Sequence, residues 1–469
     1  MREFHDGAQW DVLEVRHLRG DDGVLVGDGR LTAEYPRSAK EQVAWIPSPK
    51  RRKASLSKWE SFLSYYAGFS EGFVESLVVA ADLKPGSTVL DPWSGSGTTI
   101  VVARRLGFRS IGLDLNPALA LVARARTLEV SDAHHLGEFG NEIIRRARGE
   151  PISEHDDLLC EWFSSETAST IRAIERAISH SLCNLNISEN GIKIDDVAPR
   201  AAALYVALFS ICDDAAAALK TSNPTWVRRL RRGEEKISVP AENLRANYFL
   251  ALDRIRNAAV QYHNNFHRTY VPTIKVFDTT RSFREHCKKV DIVISSPPYC
   301  TRIDYTSITS IQLAILSPLL EISTKELSRA MTGSVRVPNI HIDVNSKWGE
   351  TCGEFLQKLR AHSSKASDGY YFKTHADYFD KIFRSLVNIS DVLNVGGEAI
   401  LVVQDSYYKE IRNDIAATVV EMASVCGLQL RQRKDFGITA PWSITNPKSR
   451  KYRRSFAATE TVLFLRKHR

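Results

Sequence analysis

The chain has 469 residues, 43% of them hydrophobic and 25% charged, with a formal net charge of +8. It is long enough to bury a large core and longer than one typical domain, so a soluble globular protein with an insertion or second domain is expected. No uninterrupted apolar run reaches membrane-spanning length, Met1-Arg2-Glu3-Phe4-His5-Asp6 lacks the apolar core of a secretory signal, and the seven cysteines form no CxxC pair. A membrane protein, a secreted disulfide framework and a structural zinc site are thereby excluded, and a cytoplasmic protein with reduced thiols is expected.

Residues 1–55, with Pro36, Pro47 and Pro49, read as an irregular N-terminal arm carrying a short hairpin around Gly27-Asp28-Gly29. From Trp59 to Ala81 apolar residues recur at helical spacing, giving a helix ahead of the first strand. The short strand Thr88-Val89-Leu90 then leads into Asp91-Pro92-Trp93-Ser94-Gly95-Ser96-Gly97-Thr98-Thr99 and a helix-like segment from Ile100 to Leu106. Gly95 and Gly97 let backbone pass close to a ligand, and the following helix offers unpaired amides at its N-terminus. Without a Lys-Ser or Lys-Thr pair this is not a P-loop, and without three spaced glycines it is not the dinucleotide fingerprint. A second strand, Ser110-Ile111-Gly112-Leu113, ends in Asp114, 23 residues beyond Asp91, and runs into Leu115-Asn116-Pro117 and a helix through Ala118 to Thr127. That is the distance at which a strand-end carboxylate meets ribose hydroxyls in a doubly wound fold, although Asp114 taken singly also fits a helix cap.

Residues 135–270 read as almost wholly helical, with apolar periodicity through Phe139–Ile144, Leu158–Ile178, Ala201–Ala218 and Leu244–Tyr262. The stretch is too long for a simple connection and is expected to be an inserted helical subdomain. Val290-Asp291-Ile292-Val293-Ile294-Ser295 is an apolar strand halted by Ser296-Pro297-Pro298-Tyr299, since two adjacent prolines neither extend a helix nor donate to a sheet ladder. An ordinary strand-terminating turn fits these four residues as well as an active site does; the glycine loop upstream shifts the balance. Residues 318–375, richer in Ser, Gly and His, form a second block that leaves the core and returns at Tyr370-Tyr371-Phe372. Gln404, Asp405, Ser406 and Tyr407 follow the apolar run ending at Val403 and are expected at the same sheet edge, in turn or capping roles or in the site. Three basic clusters stand out: Lys50 to Lys53; Arg228, Arg229, Arg231 and Arg232 with Lys236; and Lys448, Arg450, Lys451, Arg453 and Arg454 around Tyr452. Each singly fits a solvated face.

The loop from Asp91 to Thr99, the acid Asp114 and the Ser-Pro-Pro-Tyr turn together resemble the S-adenosylmethionine loop, ribose-binding acid and catalytic turn of the amino-group DNA methyltransferases. The resemblance extends to Asp278 in Val276-Phe277-Asp278, like the acid that contacts the cofactor's adenine. It includes Tyr66-Ala67-Gly68-Phe69, like the segment closing over the methionine moiety, and Gly396 to Val403, like the fifth core strand. It implies a Rossmann-like α/β methyltransferase sheet with an inserted helical subdomain: an arm at 1–55, a catalytic core at 56–134 and 271–469 with a 318–375 insertion, and a 135–270 helical insertion as a target-recognition domain or a packing or partner surface. Asp91, Trp93, Gly95, Ser96, Gly97, Thr98, Asp114, Asn116, Asp278 and Phe69 would hold S-adenosyl-L-methionine, and Ser296, Pro297, Pro298 and Tyr299 would be catalytic. Within the family a Ser opening the turn is typical of cytosine-N4 enzymes and Asp or Asn of adenine-N6 enzymes. The expected partner is double-stranded DNA, contacted through Arg228, Arg229, Arg231, Arg232, Arg302, Lys451, Arg453 and Arg454, in a bacterial or archaeal cytoplasm at the nucleoid. A cognate restriction nuclease or defence-system proteins are expected alongside.

The chemistry agrees. Cytosine's exocyclic amine is a poor nucleophile because its lone pair is delocalised into the ring, so acceptors fixed on a rigid backbone, the Ser296 hydroxyl and the Pro297 carbonyl, must favour its tetrahedral form. Tyr299 offers a stacking face for a base flipped from the duplex. No protein nucleophile or metal is required: there is no Pro-Cys dipeptide, and Cys300 fits a packing residue better than a catalytic one. Arg302, Asp304 and Tyr305 are expected at the pocket entrance, with an Arg302–Asp304 ion pair fitting equally well. Adenine N6 or an RNA base as target, and a catalytically silent DNA-binding scaffold, remain the alternatives.

Overall fold

The computed structural model describes residues 46–50, 59, 68–153, 156–182, 194–220, 227–263, 270–300, 304–337, 342–438 and 458–468. The hairpin around Gly27-Asp28-Gly29, Arg51 to Lys53, Tyr66-Ala67, Ser222 to Trp226, Arg302, and Lys448 to Arg454 with Lys451, Arg453 and Arg454 lie outside the described residues. The chain divides into two units, Met1–Ile46 and Pro47–Arg469; all that follows belongs to the second.

Nine strands are present among the described residues: β1 Thr88–Asp91, β2 Arg109–Asp114, β3 Thr273–Val276, β4 Val290–Ser295, β5 Leu393–Gln404, β6 Ser406–Tyr408, β7 Ile411–Asn413, β8 Leu428–Ile438 and β9 Ala458–Lys467. β6 and β7 form a small hairpin; the other seven make one sheet in the order β3-β2-β1-β4-β5-β9-β8. The first five run parallel, while β9 is antiparallel to both β5 and β8. The order reverses direction between β1 and β4, so the loops after β1 and β4 open side by side at the carboxyl edge, where doubly wound sheets bind ligands. Leu90, Val290, Val293 and Leu401 are buried in strands covered on both faces, which is why these strands read as continuous apolar runs rather than alternating ones.

Helices α1 Glu71–Ala80, α2 Thr98–Arg105, α3 Pro117–Ala125, α4 Val130–His134, α5 Leu136–Arg146, α6 Ser165–Leu182, α7 Pro199–Ala215 and α8 Ala241–His263 precede β3. α9 Tyr305–Ile308, α10 Ser310–Leu316, α11 Thr324–Ala330, α12 Glu350–Ala361 and α13 Phe372–Val392 lie between β4 and β5, and α14 Ile415–Val425 follows β7. The helix expected from Trp59 to Ala81 is corrected. Gly68 has φ 152°, Phe69 is extended and bridges Lys50, and the Ser70 hydroxyl accepts from the Phe73 N–H, so the helix begins at Glu71. Such a cap defines a start that apolar periodicity alone does not locate. Likewise Leu158–Ile178 is not one helix: the chain turns at Trp162 and Phe163, where Phe163 bridges Ile237, and α6 starts only at Ser165.

Two large cores flank the sheet. One gathers Leu90, Val293 and Leu401 with Phe379, Ile382 and Leu386 of α13 and Val419 and Met422 of α14. The other joins Ala118 and Leu121 of α3 to Leu204 and Leu208 of α7, Tyr248 of α8, and Ile311 and Ile315 of α10. The helical block at 135–270 therefore shares a continuous apolar interior with the helix after β2 and with the helices that follow the Ser-Pro-Pro-Tyr turn. Buried Arg172 reinforces that junction. It pairs with Asp157 at 2.9 Å and Glu175 at 3.2 Å while donating to the carbonyls of Ala314 and Ile315.

Candidate functional site

The chain after β1 turns sharply at Gly95 (φ 50°) and Gly97 (φ 81°) before α2 begins. Gly97 serves packing as much as the loop: a β-carbon there would stand 2.7 Å from that of Ala123, so only glycine lets α2 and α3 approach this closely. The Ser94 N–H donates to the Leu113 carbonyl at 2.9 Å, fastening the loop to β2. Asp114, at the end of β2, accepts from the Gly95 N–H and the Asn116 N–H, both at 2.8 Å. Asn116 rather than Asp114 is the cap of α3, its side chain accepting from the Ala118 N–H with Pro117 at the first helical position.

Across the sheet, the Ser296 hydroxyl donates to the Val402 carbonyl of β5 at 3.2 Å, and the Tyr299 N–H donates to the Tyr305 hydroxyl at 2.8 Å. The neighbouring Ser295 hydroxyl, fully buried, donates to Asp91. Asn116 donates to the Thr309 hydroxyl at 2.8 Å. Loop and turn are thus joined by hydrogen bonds beneath the surface.

Between them lies an open cleft. Phe69, Asp91, Trp93, Gly95, Ser96, Thr98, Asp114, Asn116, Asp278, Ser296, Pro297, Pro298 and Tyr299 all line it. Of the expected cofactor and catalytic residues, Gly97 does not line it. Tyr305 also lines the cleft. Asp304 instead caps α9, accepting from the Thr306 and Ser307 N–H groups, and has Arg336 3.9 Å away. Asp278 accepts from the Thr280 N–H at 2.9 Å and hydroxyl at 2.7 Å through one oxygen. Its other oxygen has a long 3.9 Å contact with Arg281. Asp405 pairs with Arg412 at 2.7 Å, an ion pair rather than the turn or capping role expected for that edge. Cys300 is 1% exposed, within a core cluster.

Sequence reasoning missed Ser94, Leu115, Leu119, Thr279, Met331 and Thr332 as lining residues. Ser94, Leu115 and Thr279 adjoin recognised motifs, and Leu119 is one helical turn beyond Asn116. Met331 and Thr332 come from the second block and carry no local signal. Arg228, Arg229, Arg231 and Arg232 do not line the cleft. Arg228 pairs with Glu234, and Arg229 with Glu161 at 2.9 Å, while Arg231 and Arg232 are exposed.

Two buried carboxylates set the electrostatics of the cleft. Burial pushes Asp91 up to about 6, partly offset by its hydrogen bonds from Ser295 and Thr99 and added to by Asp114. Burial raises Asp114 to about 6 as well, against the N–H groups of Asn116 and Gly95. Burial lifts the Tyr299 phenol well above its ordinary range, so it stays neutral. Trp93 Nε1 and Ser94 Oγ are buried with no hydrogen-bond partner among the described residues. No group of three or more metal-ligating side chains occurs among the described residues, and no described helix is long and apolar enough to cross a membrane.

A family model described as DNA methylase (N6_N4_Mtase) matches residues 26–124. The Type II methyltransferase M.BsoBI of Geobacillus stearothermophilus is 24% identical over 286 residues, 56% of this chain and 53% of that protein. M2.DpnII of Streptococcus pneumoniae is 49% identical over 49 residues, covering 10% and 18%, and M.SmaI of Serratia marcescens is 42% identical over 65 residues, covering 14% and 22%. The chain thus spans about half the length of the first relative and about a fifth of the other two. With the glycine loop and the strand-end acids on one side of a single cleft and the Ser-Pro-Pro-Tyr turn on the other, the chain is similar to the amino-group DNA methyltransferases over the matched segments.

Proposed function

We propose that the chain transfers a methyl group from S-adenosyl-L-methionine to the exocyclic N4 amine of a flipped-out cytosine in double-stranded DNA. Its setting would be a restriction-modification or defence system in a prokaryotic cytoplasm, with a cognate nuclease as partner. The observation that carries this reading is the Ser296 hydroxyl: its proton is engaged by the Val402 carbonyl, so its lone pairs are what the cleft receives. A hydroxyl locked as an acceptor beside the Pro297 carbonyl supports an amine turning from planar to tetrahedral, and both groups are pre-oriented before reaction begins. Tyr299 stays neutral and lines the same wall, available as a stacking face.

The opposite half fits the cofactor. Asp114 and Asp278 each keep lone pairs for hydroxyl and amino donors, the Trp93 and Ser94 side chains are unpartnered polar groups at the wall, and Asp91 and Asp114 supply negative charge. S-adenosylmethionine supplies an electrophilic methyl on a sulfonium centre. The buried carboxylates would compensate that positive charge, Phe69 and Leu119 would exclude water, and the amine's acceptors would stand in the same cleft. Arg231 and Arg232, both exposed, would contact phosphates.

Incubation with labelled cofactor and unmodified phage DNA, then digestion to nucleosides and mass identification, tests this. N4-methyldeoxycytidine is expected. N6-methyldeoxyadenosine would transfer the reading to adenine, and DNA binding without any methylated nucleoside would make the chain a scaffold.

A further inference from the structure

The carbonyl side of the Ser-Pro-Pro-Tyr turn is backed by a segment far from every recognised motif. Gly333 has φ +78°, and a β-carbon on it would stand 2.5 Å from the Tyr299 carbonyl oxygen and 3.8 Å from the Pro298 side chain. The Tyr299 N–H is meanwhile held by the Tyr305 hydroxyl. One residue of the turn is therefore pinned through its N–H by α9 and abutted at its carbonyl by residue 333.

The segment carrying Gly333 is itself fastened. Lys381 of α13, paired with Asp377 at 2.9 Å, donates to the carbonyls of Arg329 at 2.9 Å and Met331 at 3.1 Å. The Tyr370 hydroxyl donates to the Val335 carbonyl at 2.9 Å. Thr332, between the two anchors, lines the cleft. A strap anchored at both ends with a glycine at its closest approach has one geometric consequence: the position of the Tyr299 carbonyl depends on residue 333 having no side chain.

We propose that Gly333 is a positioning residue for the catalytic turn, and that the strap from Met331 to Val335 sets where the Tyr299 ring and the Ser296 and Pro297 acceptors stand. This rests on the methyl-transfer reading above. Any side chain at 333 must displace the Tyr299 peptide or itself, and a shift of about 1 Å at reacting groups lowers turnover by about a hundredfold. The collision falls on the turn: the three atoms nearest a β-carbon at 333 belong to Tyr299 and Pro298, so the cofactor half is expected to keep its geometry.

The test compares Gly333→Ala with Gly427→Ala in the full chain. Gly427 has φ +80° and open space around its missing β-carbon, so its variant carries the same left-handed strain without the collision. Methyl transfer to phage DNA, cofactor Kd by calorimetry and melting temperature are measured for each. Gly333→Ala should lose at least tenfold in kcat with cofactor Kd within twofold of wild type, while Gly427→Ala keeps wild-type kcat. Should Gly333→Ala fail to fold, Tyr370→Phe decides: it removes only the hydroxyl on Val335 and should lower kcat two- to fivefold with Kd unchanged. Wild-type activity with equal kcat in the two glycine variants, or in Tyr370→Phe where that variant decides, overturns the positioning role alone. A wild-type chain that methylates no DNA overturns the functional reading and this inference with it.

Discussion

Replacing Asp91 by Asn separates what the cleft needs from what the fold tolerates. Asp91 is 2% exposed, and burial lifts it from an ordinary carboxylate value of 3.8 to about 6. A carboxyl raised in the folded state binds protons more tightly there than in the unfolded chain, so the contribution of Asp91 to stability is greatest below about pH 4 and is lost as pH rises through about 6. That rise corresponds to roughly 3 kcal/mol of instability at pH 7.5. Asn keeps the oxygen that accepts from Ser295 and from the Trp93 N–H and removes the charge. With about half the gain discounted for an amide N–H₂ lacking an acceptor, Asp91→Asn should stabilise the ligand-free chain by about 1–2 kcal/mol at pH 7.5, the gain vanishing toward pH 4. Affinity moves the other way. Opposite charges in a partly dry site attract by up to about 4 kcal/mol before desolvation is discounted, so S-adenosylmethionine should bind roughly 10–100-fold more weakly. In the wild type, affinity should fall as pH drops below about 6, and the variant should lose part of that dependence. Urea unfolding with and without cofactor, and calorimetric titration between pH 5 and 8, read both quantities. A variant less stable than wild type at pH 7.5 that binds cofactor normally would refute the reasoning.

Ser296→Ala should lower turnover by roughly 10²–10³ with cofactor Kd within twofold, since it removes an acceptor from the opposite wall; rapid-quench transfer and calorimetry measure the split, and a large loss of cofactor binding would contradict the assigned role. Arg126, 2% exposed, donates to the Ser96 carbonyl at 2.9 Å and pairs with Glu71 at 2.7 Å. Arg126→Met should destabilise the chain by on the order of 3 kcal/mol in urea and weaken cofactor binding through the released loop, and an unchanged denaturation midpoint would show the clamp to be dispensable. Changing Arg231 and Arg232 together to Ala should flatten the plot of log K against log salt for DNA by about 2, measured by fluorescence anisotropy; an unaltered slope would remove that cluster from the interface.

Legibility followed distance along the chain. The glycine loop and Asp114 could be read because one strand-turn-helix-strand unit holds them, and glycine's access to positive φ leaves a mark in composition as well as in structure. The Ser-Pro-Pro-Tyr turn could be read because proline restricts its own neighbourhood. Met331, Thr332 and Gly333 could not, since their roles arise from tertiary approach: Gly333 matters through an atom more than thirty residues away, and nothing beside it in sequence says so. The basic cluster at Arg228 to Arg232 shows the converse failure. Composition counts four cations, whereas folding brings Glu234 and Glu161 against two of them.

The hydrogen bonds beneath the cleft decide how its two halves work together. Ser295 precedes the Ser-Pro-Pro-Tyr turn and donates to Asp91 of the glycine loop, while Asn116 of the loop side donates to Thr309, just past the α9 helix that bears Tyr305. Both links are buried, where hydrogen bonds are strongest and an unpaired partner is most costly. A displacement of the loop is thereby transmitted to the backbone on either side of Tyr299. A positive charge bound beside the already ionised Asp91 should hold that carboxylate, and with it Ser295, in place, so that the Ser296 and Pro297 acceptors are expected to be best ordered once a methyl donor is bound.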